Sequence, residues 1–152
     1  MVISRFDSLP PILVAAAQKR ARLAEHWLTA QEVSRIVDPA YESSLPTVAT
    51  KLRQQWRLLA VYMDPPSSHY RYPAWQFGED GQPVSQLHDI LTVMRAKGPF
   101  TPDDQGRTTG WGEVEWFMSC NALLDGATPE EVLRTDPAAV LRAALIEFNE
   151  EE

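Results

Sequence analysis

The sequence predicts a mainly α-helical protein: a winged helix-turn-helix-like subdomain with a short β-hairpin over residues 1–77, then a small helical domain over residues 78–152. Three observations predict it. Apolar residues recur at helical spacing along most of the chain. Only Ala60–Met63 and Tyr70–Tyr72 carry the aromatic and branched residues of short strands. The charge also changes sign between the halves: residues 1–77 hold nine Lys/Arg against six Asp/Glu, net +3, and residues 78–152 hold five against fifteen, net −10.

The elements follow in order. Leu13, Ala16, Ala17, Leu23 and Trp27 make the apolar face of a helix over Pro10–Trp27, with Lys19, Arg20, Arg22 and Glu25 largely opposite. Thr29 and Glu32 complete a Thr-x-x-Glu capping box, so a second helix starts there and stops near Asp38-Pro39. Two prolines with Asp, Glu and Ser make 38–46 a loop. Val48, Leu52, Trp56 and Leu59 predict a third helix over Thr47–Leu59. Asp64–Ser68 forms the hairpin tip, and Pro73–Gly81 is the connector.

Beyond it, Val84, Leu87, Ile90, Leu91 and Met94 predict a helix closed by Lys97-Gly98-Pro99. Residues 98–110 form a loop, and Trp111–Met118 a short helix. Thr128-Pro129-Glu130-Glu131 is a second capping box with proline at the first helical position. Asp136-Pro137 repeats the start signal, and Val140, Leu141, Ala144, Leu145 and Phe148 form the last apolar stripe.

Composition narrows the function. The chain has 152 residues, 44% apolar and 23% charged, with net charge −7 and a single cysteine, Cys120. That cysteine allows no internal disulfide, and no run nears the ~18 apolar residues of a membrane helix. Ile12–Ala17 is too short for a secretory signal, so the expected location is the cytoplasm. His26, His69 and His88 show no ligand spacing, and no phosphate loop, dinucleotide fingerprint or nucleophile elbow is present. The expectation is a non-enzyme with no metal and no cofactor.

Two surfaces stand out instead. Thr47, Thr50, Lys51, Arg53, Gln54 and Arg57 on the third helix, with Arg71 on the wing, are the residue types that reach bases and phosphates. A solvated amphipathic helix has the same composition. The acidic half offers Trp111 and Trp116, as core residues or as partner anchors.

Two segments together resemble the Xre/MbcA/ParS-type antitoxin family. Tyr70–Phe77 with Gly81-Gln82-Pro83 is similar to the linker between that family's halves. Trp111, Trp116-Phe117, Asn121–Pro129 and Val140–Ala144 resemble its C-terminal toxin-binding domain; Trp27–Val33 and Leu58–Val61 are similar to its helix-turn-helix. The resemblance implies an antitoxin of a type II system that neutralises a RES-domain, NAD-directed toxin and binds promoter DNA for autoregulation. It would act as a homo-oligomer or as a hetero-oligomer with that toxin. The toxin contacts it implies are Trp111, Trp116, Asn121, Asp125, Glu147, Asn149, Glu150 and Glu151, with the acidic end obstructing the toxin's cleft.

Val37–Pro46 is longer than the usual three- or four-residue turn and lacks glycine, which would shift the third helix from groove-docking geometry. Two alternatives stand beside the antitoxin: a DNA-binding regulator without a toxin partner, and a protein-interaction or immunity protein with a degenerate helix-turn-helix.

Overall fold

The computed structural model describes residues 10–39, 46–63 and 68–148. Among them are seven α-helices and one two-stranded antiparallel sheet: α1 (Pro11–Ala24), α2 (Ala30–Val37), α3 (Thr47–Gln54), β1 (Val61–Met63), β2 (His69–Arg71), α4 (Leu87–Ala96), α5 (Trp111–Phe117), α6 (Pro129–Leu133) and α7 (Pro137–Phe148). The protein is mainly helical with a small hairpin, and no described helix is long and apolar enough to cross a membrane.

Both capping boxes form. The Glu32 N–H donates to the Thr29 hydroxyl at 3.2 Å, and the Thr29 N–H donates to the Glu32 carboxylate at 2.9 Å. Thr128 and Glu131 repeat this at α6, at 3.3 and 2.9 Å. In each box the backbone N–H on the carboxylate is the leading reason that Glu32 and Glu131 titrate below the usual range. Next to Glu131, burial pushes the Glu130 carboxyl up, and the Glu131 charge adds to the rise.

Two expectations are corrected. The third helix ends at Gln54, five residues before the predicted Leu59. Trp56 takes φ 61°, its N–H donates to the Arg53 carbonyl, and the Arg57 N–H donates to the Leu52 carbonyl at 2.8 Å, a Schellman termination. A tryptophan in the left-handed region costs about 1 kcal/mol or more. Tertiary contacts offset it: the Trp56 indole N–H donates to the Gly106 carbonyl at 2.9 Å, and the Arg95 guanidinium lies 5.3 Å from the ring centroid. The predicted apolar face of α1 is also largely uncovered. Ala24 alone is buried in that helix, while Ile12, Leu13 and Leu23 are exposed.

Early termination of α3 turns Leu58–Val61 into an extended run buried on both sides. Leu58 and Ala60 join Val33, Ala49, Tyr72 and Phe77 in one cluster; Leu59 and Val61 join a larger one built from α4, α5, α6 and α7. The larger cluster therefore contains residues from both sides of position 77. The strands pair Val61 with Arg71 and Met63 with His69, and Leu28 bridges to Tyr72 beside them. Gln76 is fully buried and holds the run in place: its Oε1 accepts the Leu59 N–H at 2.7 Å and its Nε2 donates to the Leu59 carbonyl at 2.8 Å. A side-chain amide thus completes the backbone pairing that a third strand would supply.

Candidate functional site

In the acidic half, a groove of about 710 Å³ runs between the end of α5, the tight turn Ala122–Leu124 and the last turn of α7. Trp116 forms its floor. The indole is half-buried, packs edge-on against Phe117 at 5.2 Å, lies 5.7 Å from Phe148, and donates to the Glu147 carboxylate at 2.9 Å. Asn121 shapes one wall, its side chain accepting the Leu123 N–H at 2.9 Å and its backbone N–H donating to Ala127. Leu123 and Ile146 line the groove and are 48% and 55% exposed, so uncovered aliphatic surface flanks the indole. Cys120, exposed, also lines it.

Of the expected toxin contacts, Trp116, Asn121 and Glu147 meet in this groove. Asp125 sits just outside, exposed at φ 58° on the turn that Asn121 caps. Trp111 lies elsewhere: it is 9% exposed, stacks on Trp27 at 6.3 Å, and donates its indole N–H to the Tyr62 carbonyl at 3.0 Å. In this position it is a core residue joining α5 to the hairpin. Asn149, Glu150 and Glu151 lie outside the described residues.

In the basic half, α2 and α3 pack through Val33 and Ala49, and the Ala49 N–H donates to the buried Ser34 hydroxyl at 3.1 Å. Thr47, Lys51 and Gln54 are exposed at helical spacing along one face of α3, with Arg57 exposed just past its end. Thr50, Arg53 and Arg71 instead line a shallow hollow of about 320 Å³ with Gln31, His69 and Tyr72. Both of its arginines are engaged. The Arg53 guanidinium lies 3.8 Å from the Tyr70 ring centroid, and Arg71 donates to the Trp27 carbonyl at 3.2 Å. Burial pushes the Tyr72 phenol up, with Arg53 opposing the rise.

A buried polar network invisible in the sequence pattern lies between α4 and α5. Arg95, 8% exposed, donates to Glu113, 1% exposed, at 2.9 Å, and the Thr108 hydroxyl donates to the same carboxylate oxygen at 2.6 Å. The two charges sit 18 residues apart on separate helices, so no spacing rule marks them. Nor did periodicity single out Leu123 and Ile146 as uncovered. No group of three His, Cys, Asp or Glu among the described residues could hold a metal ion.

No protein-family model, no curated protein and no solved structure matches the chain.

Proposed function

We propose that the chain is a cytoplasmic antitoxin that acts by binding and not by catalysis, covering a RES-domain, NAD-directed toxin with its acidic half. The carrying observation is the groove in which Trp116, Asn121 and Glu147 converge beside the exposed Leu123 and Ile146. A half-buried tryptophan flanked by uncovered aliphatics, in a half of net charge −10, is the composition of an anchor for a basic partner. The resemblance supplies the class of partner, and the groove supplies a surface for it.

The second activity belongs to the winged helix-turn-helix-like half, which would hold promoter DNA through Thr47, Lys51, Gln54 and Arg57. Their exposure supports this reading, as does the packing of α2 against α3. Arg53 and Arg71, engaged within the hollow, would position this face more than reach from it.

The test is recovery of the tagged chain from its native host, with and without nuclease treatment. A single small basic protein that arrests growth when expressed alone, and is relieved by co-expression of this chain, is the expected result. Leu123→Asp with Ile146→Asp should abolish the relief while leaving far-UV circular dichroism unchanged, since both side chains are largely solvent-exposed. Full relief by that variant would refute the groove. Recovery of promoter DNA with no such protein would favour the regulator.

A further inference from the structure

A second cleft, of about 630 Å³, opens between the β-hairpin and the 99–113 segment. Its volume falls in the roughly 300–1,000 Å³ range of small-molecule sites. Tyr62, Tyr70 and Phe100 supply aromatic walls, the two tyrosines edge to face at 5.5 Å. Tyr70, Arg107 and Thr108 also line an adjoining inner recess of about 30 Å³, whose other walls include Arg53 and Arg95.

The charges lining this pair of spaces come from α3, α4, α5 and the loop before α5, while the hairpin supplies only its tyrosines. Glu113 on α5 is matched by Arg95 on α4 at 2.9 Å, and Asp103 in the loop is matched by Arg107 at 3.2 Å. Arg53 on α3 is left without a carboxylate partner among the described residues, and its Nε is a buried donor with no acceptor. Its guanidinium rests on the Tyr70 ring, which forms the wall between recess and cleft. The balance is one uncompensated positive charge behind an aromatic wall, with Arg107 at the mouth on an exposed, weakly held ion pair.

We propose that this cleft binds a small aromatic ligand carrying a phosphate, of the free 5′-mononucleotide class. The base lies against Tyr62, Tyr70 and Phe100. The recess has room for about one or two waters, so the phosphate sits at its mouth, where Arg107 donates to it and Arg53 supplies charge from behind. The cleft adjoins the Trp116 groove across Phe100 and Gly112, which line both, but its ligand reading does not depend on the antitoxin reading.

Adenosine 5′-monophosphate is the probe, titrated calorimetrically into the full chain, with adenosine and inorganic phosphate as single-feature controls. The monophosphate should saturate one site and bind about tenfold or more tighter than either control, because the ring and the anion each contribute. Asp103→Asn is the sharper variant. Asp103 accepts the Gln105 and Arg107 backbone N–H groups on Oδ1, which asparagine keeps, and loses only the Oδ2 contact to Arg107. Freed of its partner, Arg107 should tighten monophosphate binding several-fold with an unchanged melting temperature, whereas Arg107→Gln should weaken it about tenfold. No saturable binding, equal affinity for adenosine and the monophosphate, or an Asp103→Asn variant that binds no tighter would overturn the proposal. So would tight binding of a single-stranded DNA ten-mer with none of the monophosphate.

Discussion

Gly110→Ala should be among the most damaging single-methyl changes in this chain. Gly110 precedes α5 at φ +82°, and a Cβ built there would lie 1.8 Å from the Ala60 carbonyl oxygen and 2.8 Å from its carbon. Both atoms are backbone, so no side-chain rotation relieves the overlap. The left-handed conformation alone costs alanine about 1–2 kcal/mol. Opening the seam further endangers three hydrogen bonds, two that tie the start of α5 to the hairpin and one within the turn that leads into it. These are Tyr62 N–H to Thr109 at 2.8 Å, Gly110 N–H to the Thr108 hydroxyl at 3.1 Å, and the Trp111 indole to Tyr62 at 3.0 Å. At about 1 kcal/mol each, partial loss brings the total to roughly 3–5 kcal/mol. That is a large fraction of the ~5–15 kcal/mol by which a domain is stable, and corresponds to a melting-point drop on the order of 10 °C. Gly126→Ala is the matched control: φ is +88° but nothing lies within 4 Å, so only the backbone penalty of about 1–2 kcal/mol remains. Urea and thermal unfolding followed by circular dichroism measure both. If Gly110→Ala is no more than 1 kcal/mol worse than Gly126→Ala, the hairpin is not locked against α5 and the shared core described above is wrong.

Arg95→Met should destabilise by about 3–5 kcal/mol, because it strands the buried Glu113 carboxylate. Arg95→Met with Glu113→Leu should recover at least half of that loss in urea denaturation, and failure to recover would locate the cost in packing instead. The capping boxes make stability depend on pH. Glu32 and Glu131 are depressed in the folded state, so their contribution is present above the ordinary glutamate pKa of about 4.3 and is lost as pH falls through the folded values. Glu130, raised by burial, has the opposite sign: the folded state takes up its proton more readily, which favours folding as pH falls through its raised value. Glu131→Gln should flatten the acid limb of stability measured between about pH 6 and 3; an unchanged limb would show that the box carries no linkage.

The parts of this fold legible in the sequence are those written in neighbouring residues. Thr29 with Glu32 and Thr128 with Glu131 each place a donor and an acceptor within one helical turn, and proline at 129 and 137 brings a helical φ with no N–H to satisfy, so the starts of α2, α6 and α7 need no knowledge of the rest of the chain. The end of α3 was not legible for the complementary reason. A left-handed tryptophan is unfavourable locally and is retained by Gly106 and Arg95, some 40 to 50 residues away. Distant partners likewise distinguish two tryptophans that composition treats alike. Trp111 and Trp116 sit on one short helix, yet the Tyr62 carbonyl and the Trp27 ring claim the first for the core. The second meets Glu147 and Phe148 at the edge of α7, where packing runs out and Ile146 is left in solvent. Arg53 divides from its neighbours in the same way. Helical spacing puts it among the side chains of a basic helix, but Tyr70 on β2 takes its guanidinium and turns it from the exposed Lys51 and Gln54 toward a recess shared with Arg95 and Arg107. Residue type thus names the groups available for binding, while partners contributed by the hairpin and α7 decide which of those groups still face solvent.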